Sequence, residues 1–179
     1  MSGRRLFVGI FPPAELSARV HAAVSPALRS TDFRIVPAGE IHLTLRFLGE
    51  TPAENIPALV EFLRGTIRPG LRSAPPVIRV AGTGAFPDPQ AARVLWAGID
   101  DPENRLARLA AAVGESKPYT PHLTVARCRG VRAPKPFLDL ALDLPWTPEE
   151  VVLVESRPGA SGPDRFPLIE AFRLSSDSP

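Results

Sequence analysis

Apolar positions along the chain fall into two rhythms, and their alternation sets out the elements. Residues 5–11, Arg-Leu-Phe-Val-Gly-Ile-Phe, form a nearly continuous apolar run stopped by Pro12-Pro13, which predicts a strand buried on both faces. From Ala14 onward Leu16, Val20, Val24 and Leu28 recur every four residues, the stripe of an amphipathic helix. Residues 33–37 read as a short extended piece, and Ala38-Gly39-Glu40 as a turn into a strand that ends at Phe47-Leu48-Gly49. Thr51-Pro52-Ala53-Glu54 predicts a capping box for a second helix, with Ile56, Leu59, Val60 and Leu63 on its buried face. Pro57 argues that the regular part begins nearer Asn55. Residues 77–81 and 93–99 predict strands separated by a Gly/Pro-rich loop over 82–89. Asp101-Pro102-Glu103 caps a helix with the stripe Leu106, Leu109, Ala110 and Val113, which Gly114 ends. A capped turn at 147–150, a strand over 151–156, a Gly/Pro/Arg-rich loop to Pro167, a strand over 168–174 and a disordered tail over 175–179 complete the expectation.

One stretch occurs twice. Ile41-His42-Leu43-Thr44-Leu45 returns as Pro121-His122-Leu123-Thr124-Val125, 80 residues later. In a strand of period two, each copy projects its imidazole and its hydroxyl from one face. Each copy also follows a strand and a helix, so the chain is duplicated in plan though not in overall identity.

Composition narrows the picture. At 179 residues with 44% hydrophobic content, the chain suits one domain or two small lobes sharing an interface. Its 22 prolines imply short elements and stiff turns. No apolar run approaches a membrane span, and the Met-Ser-Gly-Arg-Arg start leads into a strand without the apolar core of a signal peptide, so a cytoplasmic protein is expected. A single cysteine, Cys128, excludes an internal disulfide framework. The net charge of +2 is too small for a long nucleic-acid groove, yet only Lys117 and Lys135 among the 21 basic residues are lysines. Arginine forks suit phosphate oxygens and can stack on bases, but codon bias also produces such richness, and charge alone does not choose a polyanionic ligand.

Two imidazoles across one cleft suit phosphodiester cleavage without metal: one takes a proton from the attacking oxygen and the other gives a proton to the leaving oxygen. An ordinary pKa near 6.5 lets one ring be neutral and the other cationic. The hydroxyls of Thr44 and Thr124 can donate to the non-bridging phosphate oxygens. The residues alone leave open which histidine is the acid. A single His-x-Thr would be read as a strand residue satisfied by a backbone carbonyl; the second copy turns the reading toward chemistry. Zinc needs three or four ligands, and no residue with metal-ligand spacing accompanies either copy, so no metal and no cofactor are expected. His21 lies beside its helix stripe without a Thr at i+2 and is left out of the site. Cys128 has no partner placed to activate it and reads as a small apolar residue.

The paired motifs, with Arg-Leu-Phe-Val-Gly-Ile, His-Leu-Thr-Leu-Arg-Phe-Leu-Gly, Ala-Phe-Pro, Arg-Val-Leu-Trp-Ala-Gly, Pro-His-Leu-Thr-Val-Ala-Arg and Val-Val-Leu-Val-Glu-Ser, resemble the 2H phosphoesterases. The branch they resemble is the RNA 2',3'-cyclic phosphodiesterases, formerly called 2'-5' RNA ligases, and the resemblance runs from Arg4 to Leu174. It implies a two-lobed, duplicated α+β fold of the LigT-like kind, a single bilobal domain with antiparallel sheets around a central cleft and helices outside. It implies metal-independent hydrolysis of a terminal 2',3'-cyclic phosphate to a 2'-phosphate, by a monomer acting on RNA ends, tRNA fragments among them, and on nucleoside 2',3'-cyclic phosphates. Carried over, His42 protonates the departing 3'-oxygen, His122 activates water, and Thr44 and Thr124 hold the phosphate. Run backwards with an RNA 5'-hydroxyl, the same geometry implies 2'-5' ligation without ATP.

Four more positions are candidates for substrate binding. Strand alternation places Arg46 on the face of Thr44, where its fork would reach a phosphate or else lie in solvent at the strand end. Arg127 matches the arginine ending the family's second motif, but its parity from His122 is odd, so a bulge or strand end has to turn it toward the cleft. Phe11 and Tyr119 would stack on a base at the rim, with core packing the competing role for Phe11. A non-catalytic nucleotide or RNA-end binding module on the same fold, gripping phosphate with the same histidines and threonines, is the alternative.

Overall fold

The computed structural model describes residues 3–29, 31–70 and 76–174. The expected disordered tail over 175–179 lies outside them. Nine strands are present among these residues: β1 (Arg4–Ile10), β2 (Arg34–Ile35), β3 (Leu43–Thr51), β4 (Ile78–Phe86), β5 (Ala92–Asp100), β6 (His122–Val131), β7 (Asp143–Trp146), β8 (Glu150–Glu155) and β9 (Leu168–Arg173). The helices are α1 (Ala14–Leu28), α2 (Ile56–Gly70), α3 (Arg105–Ala112) and the single turn α4 (Lys135–Leu138). The strand order is β7-β4-β5-β6-β3-β1-β8-β9, with β2 on β6, and every pairing is antiparallel. The sheet falls into two halves, β7-β4-β5-β6 and β3-β1-β8-β9, joined between β3 and β6 by the pair Leu43 and Leu123. The molecule is thus an α+β fold in which the duplicated units, β1-α1-β3 and β5-α3-β6, each return an antiparallel strand beside the first.

Helices and one face of both halves share a single core. The α1 stripe of Leu16, Val20, Val24 and Leu28 is buried there, as are Ile56, Leu63 and Ile67 of α2 and Leu106, Leu109 and Ala110 of α3. Strand alternation sends β8 residues Val151 and Leu153 into this core, while Val152 and Val154 join Phe7 in a smaller apolar cluster on the opposite face. Burial of β1 and β8 from both sides explains their continuous apolar runs. The carboxylate of Asp101 accepts the Arg105 and Leu106 backbone N–H groups at the start of α3, and Gly114, at φ +92°, closes its other end.

The structure departs from expectation in three places. The capping box at Thr51 does not form: Thr51 is the last residue of β3 and its hydroxyl donates back to the Gly49 carbonyl, while one 3-10 turn over Ala53–Asn55 precedes α2. Pro57 then sits in the first turn of α2, where its missing N–H has no intrahelical partner to lose. Most of the expected 82–89 loop is strand, since β4 kinks at Gly82, at φ +66°, and continues against β5 to Phe86. The short strand β7 carries Pro145 and lies at the edge of the sheet, the position a missing N–H permits.

Candidate active site

Leu43 and Leu123 are fully buried in the core, so the residues on either side of them in each strand face the other way. Carried one residue to either side, the antiparallel register of that pair brings His42 toward Thr124 and Thr44 toward His122. Two imidazoles and two hydroxyls therefore surround one cross-strand pair, with the histidines on its diagonal, about 7–8 Å apart at the backbone. All four residues are half-buried.

Each ring is fixed by the same local device. His42 Nδ1–H donates to the Glu40 carbonyl at 2.7 Å, and His122 Nδ1–H donates to the Thr120 carbonyl at 2.7 Å. A carbonyl only accepts, so Nδ1 carries the proton in both rings and Nε2 is left to exchange one. The backbone carbonyl that would satisfy a merely structural histidine here selects its tautomer.

Immediately after each motif the strand bulges. Opposite β1, Thr44 pairs with Gly9 and Arg46 with Val8, leaving Leu45 unmatched; opposite β5, Thr124 pairs with Trp96 and Ala126 with Leu95, leaving Val125 unmatched. Val125 and Ala126 are both buried, and alternation resumes one residue late, which turns Arg127 to the histidine face. This is the bulge that the odd parity of Arg127 required. The same irregularity in β3 overturns the expectation for Arg46. Its guanidinium donates to the Val113 carbonyl at 2.6 Å and packs over Gly114, at the end of α3, so Arg46 is taken up in closing that helix. Phe47, not Arg46, is the counterpart of Arg127; it is 68% exposed and lies 6.1 Å from the Phe7 ring.

The two rings have different surroundings. His42 stacks on Phe7 at 4.8 Å and on Phe11 at 5.1 Å, and meets the edge of Phe166 at 4.9 Å. His122 meets Phe86 at 5.0 Å and Trp96 at 6.2 Å, and the residue paired with it on β5 is Gly98. Desolvation in the aromatic nest is the largest influence on His42, and Arg127, Arg165 and His122 add to it; together they bring its pKa down to about 4 against the pull of the Glu40 carbonyl. Desolvation, then Arg127, lowers His122 as well, against the Thr120 carbonyl. Desolvation and the charge of Arg165 hold Arg127 below the usual guanidinium range. The positive charges of Arg127 and Arg165 thus favour the neutral imidazole at His42, and that of Arg127 does so at His122.

Tyr119 also departs from expectation. Its hydroxyl donates to the Thr44 carbonyl at 2.9 Å and its ring packs against the core, so it ties the loop before β6 to β3 and does not offer a face to a base. Burial first, then Asp101 and Glu115, pushes its pKa up. Phe11 lies just past the end of β1 beside His42, half-buried. Cys128 is half-buried against the core. His21 lies on α1, where its carbonyl accepts the Ser25 hydroxyl at 2.6 Å.

Sequence reasoning missed Arg165 and Phe166. Arg165 donates to Ser156 Oγ at 3.2 Å, faces the Glu40 carboxylate at 3.9 Å and stands 4.6 Å over the Phe166 ring. Arg165 ends a 3-10 turn over Gly162–Arg165 and Phe166 follows it, in a loop with no periodic pattern, and the adjacent Arg-Phe pair was the only signal available.

Comparisons with known proteins point to one family. Residues 10–96 match the family model described as LigT like Phosphoesterase. The chain is 34% identical to the RNA 2',3'-cyclic phosphodiesterase of Thermus thermophilus, over 97% of this chain and 91% of that protein. It is 29% identical to the protein of the same name from Methanothermobacter thermautotrophicus, over 84% and 89%. The chain belongs to the LigT-like phosphoesterase family. Among solved structures it is similar to TT0787 of Thermus thermophilus, at a TM-score of 0.74 and 30% identity, covering 95% of this chain and 97% of that one. It is also similar to Escherichia coli LigT complexed with ATP, at 0.79 and 26%, covering 98% and 99%. No helix of the described residues is long and apolar enough to cross a membrane.

Proposed function

We propose that the protein is an RNA 2',3'-cyclic phosphodiesterase that opens a terminal 2',3'-cyclic phosphate to a 2'-phosphate by two-histidine acid and base catalysis, without metal or cofactor. The observation that carries this reading is the pair of Nδ1-anchored imidazoles placed diagonally about Leu43 and Leu123 with Thr44 and Thr124 between them. His122 Nε2 takes a proton from water as the water attacks phosphorus, and His42 Nε2–H gives a proton to O3' as the P–O3' bond breaks in line. The Thr44 and Thr124 hydroxyls donate to the non-bridging oxygens, and Arg127 supplies positive charge where the transition state gains negative charge.

The two surroundings support this division of labour. O2' and O3' belong to one ribose, so the nucleoside lies on the side of the leaving oxygen, and His42 has the aromatic company for it. At neutral pH the depressed pKa keeps His42 uncharged in the free protein. A phosphodiester anion seated beside Arg127 and Arg165 offsets the two cations that depress it, so substrate itself favours loading of the acid. With an RNA 5'-hydroxyl in place of water the same in-line attack, forming P–O5' as P–O3' breaks, would give a 2'-5' linkage and a free 3'-hydroxyl; RNA ends, tRNA fragments among them, are the substrates we assign, and the cytoplasm the compartment.

The test is incubation with cytidine 2',3'-cyclic phosphate in EDTA. A 2'-phosphate product that disappears in His42→Ala and in His122→Ala supports the mechanism; full turnover in either variant overturns it. Binding without turnover by the parent protein would make this a nucleotide-binding module, and loss of turnover in EDTA a metallohydrolase.

A further inference from the structure

Beside His42 lies a cavity of about 430 Å³ with largely apolar walls. Phe11 and Phe166, two of the three rings against His42, line it together with Pro37 and the loop residue Pro163, and Glu40 is the only charged residue of the lining. Phe11 and Phe166 are 5.7 Å apart and tilted by 59°, too close to admit a ring between them, so a flat ligand lies against them rather than inside a sandwich. Arg165 stacks on Phe166 and holds it in place.

Glu40 is tied to the catalytic residues at both ends. Its backbone carbonyl anchors His42 Nδ1, and its carboxylate faces Arg165 across 3.9 Å, a distance that leaves its oxygens free to accept hydrogen bonds. A ligand that fills the cavity therefore meets aromatic faces and one anionic acceptor, with the catalytic imidazole next to the two rings of the wall. That set fits a nucleobase that presents donors, and it disfavours one that presents acceptors alone. Guanine offers two adjacent donors, N1–H and the N2 amino group, which one carboxylate accepts together. Adenine and cytosine offer one amino donor next to a ring nitrogen that repels the carboxylate, and uracil offers a single N–H between two carbonyls.

Resting on the cyclic phosphodiesterase reading, we propose that this cavity is the subsite for the base of the terminal nucleotide, and that Glu40 makes it prefer guanine. The loop over 157–167 supplies one wall through Pro163 and Phe166, which gives it a role in substrate selection.

The experiment compares kcat/KM for the four nucleoside 2',3'-cyclic phosphates with the parent enzyme and with Glu40→Gln. Guanosine is expected to exceed uridine by about tenfold or more, the range of a bidentate base contact. Glu40→Gln is expected to bring the four values to within about threefold of one another, chiefly by raising KM for guanosine. Equal values for the four bases in the parent enzyme would overturn the proposal while leaving the phosphodiesterase reading intact. A uniform fall across all four in Glu40→Gln would also overturn it, by reducing the side chain to support for His42. If the parent turns over none of the four, both readings fail together.

Discussion

Leu43 of β3 and Leu123 of β6 pair across the junction of the two sheet halves, and this contact places the second histidine within reach of the first. Both leucines are fully buried, so the pair anchors the site from beneath as well as joining its halves. The consequences can be tested residue by residue.

The bulges after Thr44 and Thr124 separate two arginines that a plain strand would treat alike. Arg46→Ala removes a charged hydrogen bond to the end of α3 and is expected to cost about 1–2 kcal/mol in urea unfolding, with kcat/KM for a cyclic nucleotide within about threefold of the parent. Arg127→Ala should do the reverse, changing stability by less than about 0.5 kcal/mol and lowering kcat/KM about tenfold or more. An activity loss from Arg46→Ala as large as that from Arg127→Ala would show that Arg46 reaches the phosphate after all.

Charges near the rings predict two different titrations. Arg127 lowers both histidines and Arg165 lowers His42. In NMR titrations of the ligand-free protein, Arg127→Ala should therefore raise both pKa values, and Arg165→Ala that of His42 while leaving His122 in place. A shift of His122 alone in the Arg165 variant would contradict the arrangement.

Stability should carry the mark of His42. Its folded pKa of about 4 lies below the unfolded value of 6.5, so between these limits the unfolded chain binds more protons and stability rises with pH. As pH falls from about 6.5 toward 4, this residue should withdraw up to about 3 kcal/mol. His42→Phe, which keeps a ring among Phe7, Phe11 and Phe166, should flatten that part of the profile. Parallel profiles for parent and variant would mean that His42 is not held neutral.

Phosphate donation by the two hydroxyls predicts that Thr44→Val and Thr124→Val each lower kcat/KM about 100-fold with the unfolding midpoint nearly unchanged. The double variant should lose less than the product of the two, since the donors act on one developing charge. Unimpaired turnover in either single variant would remove that threonine from the site.

Tyr119→Phe deprives the Thr44 carbonyl of its buried donor, and about 1–2 kcal/mol of stability should go with it. Relative rates among the four bases should not change. If they do, the ring touches the substrate and its buried position in the free protein is not the one it keeps.

Local order along the chain determined a good deal by itself. The four-residue stripe of Leu16, Val20, Val24 and Leu28, the alternation about His42 and His122, and the repeat of strand, helix and motif were readable because backbone geometry imposes those periods on any chain that buries one face. The motifs named the chemistry because imidazole and hydroxyl carry it wherever they are placed. Tertiary structure decided what periodicity does not encode. Whether Arg46 or Phe47 faces the cleft depends on a bulge set by pairing with β1, a strand more than thirty residues away. Tyr119 turned inward because the Thr44 carbonyl needed a donor. Arg165, Phe166 and Glu40 met beside His42 only because β8 and β9 return to the first half of the sheet, carrying the loop between them to the mouth of the cavity. Contacts between distant segments follow from packing the whole chain, and no local rhythm records them.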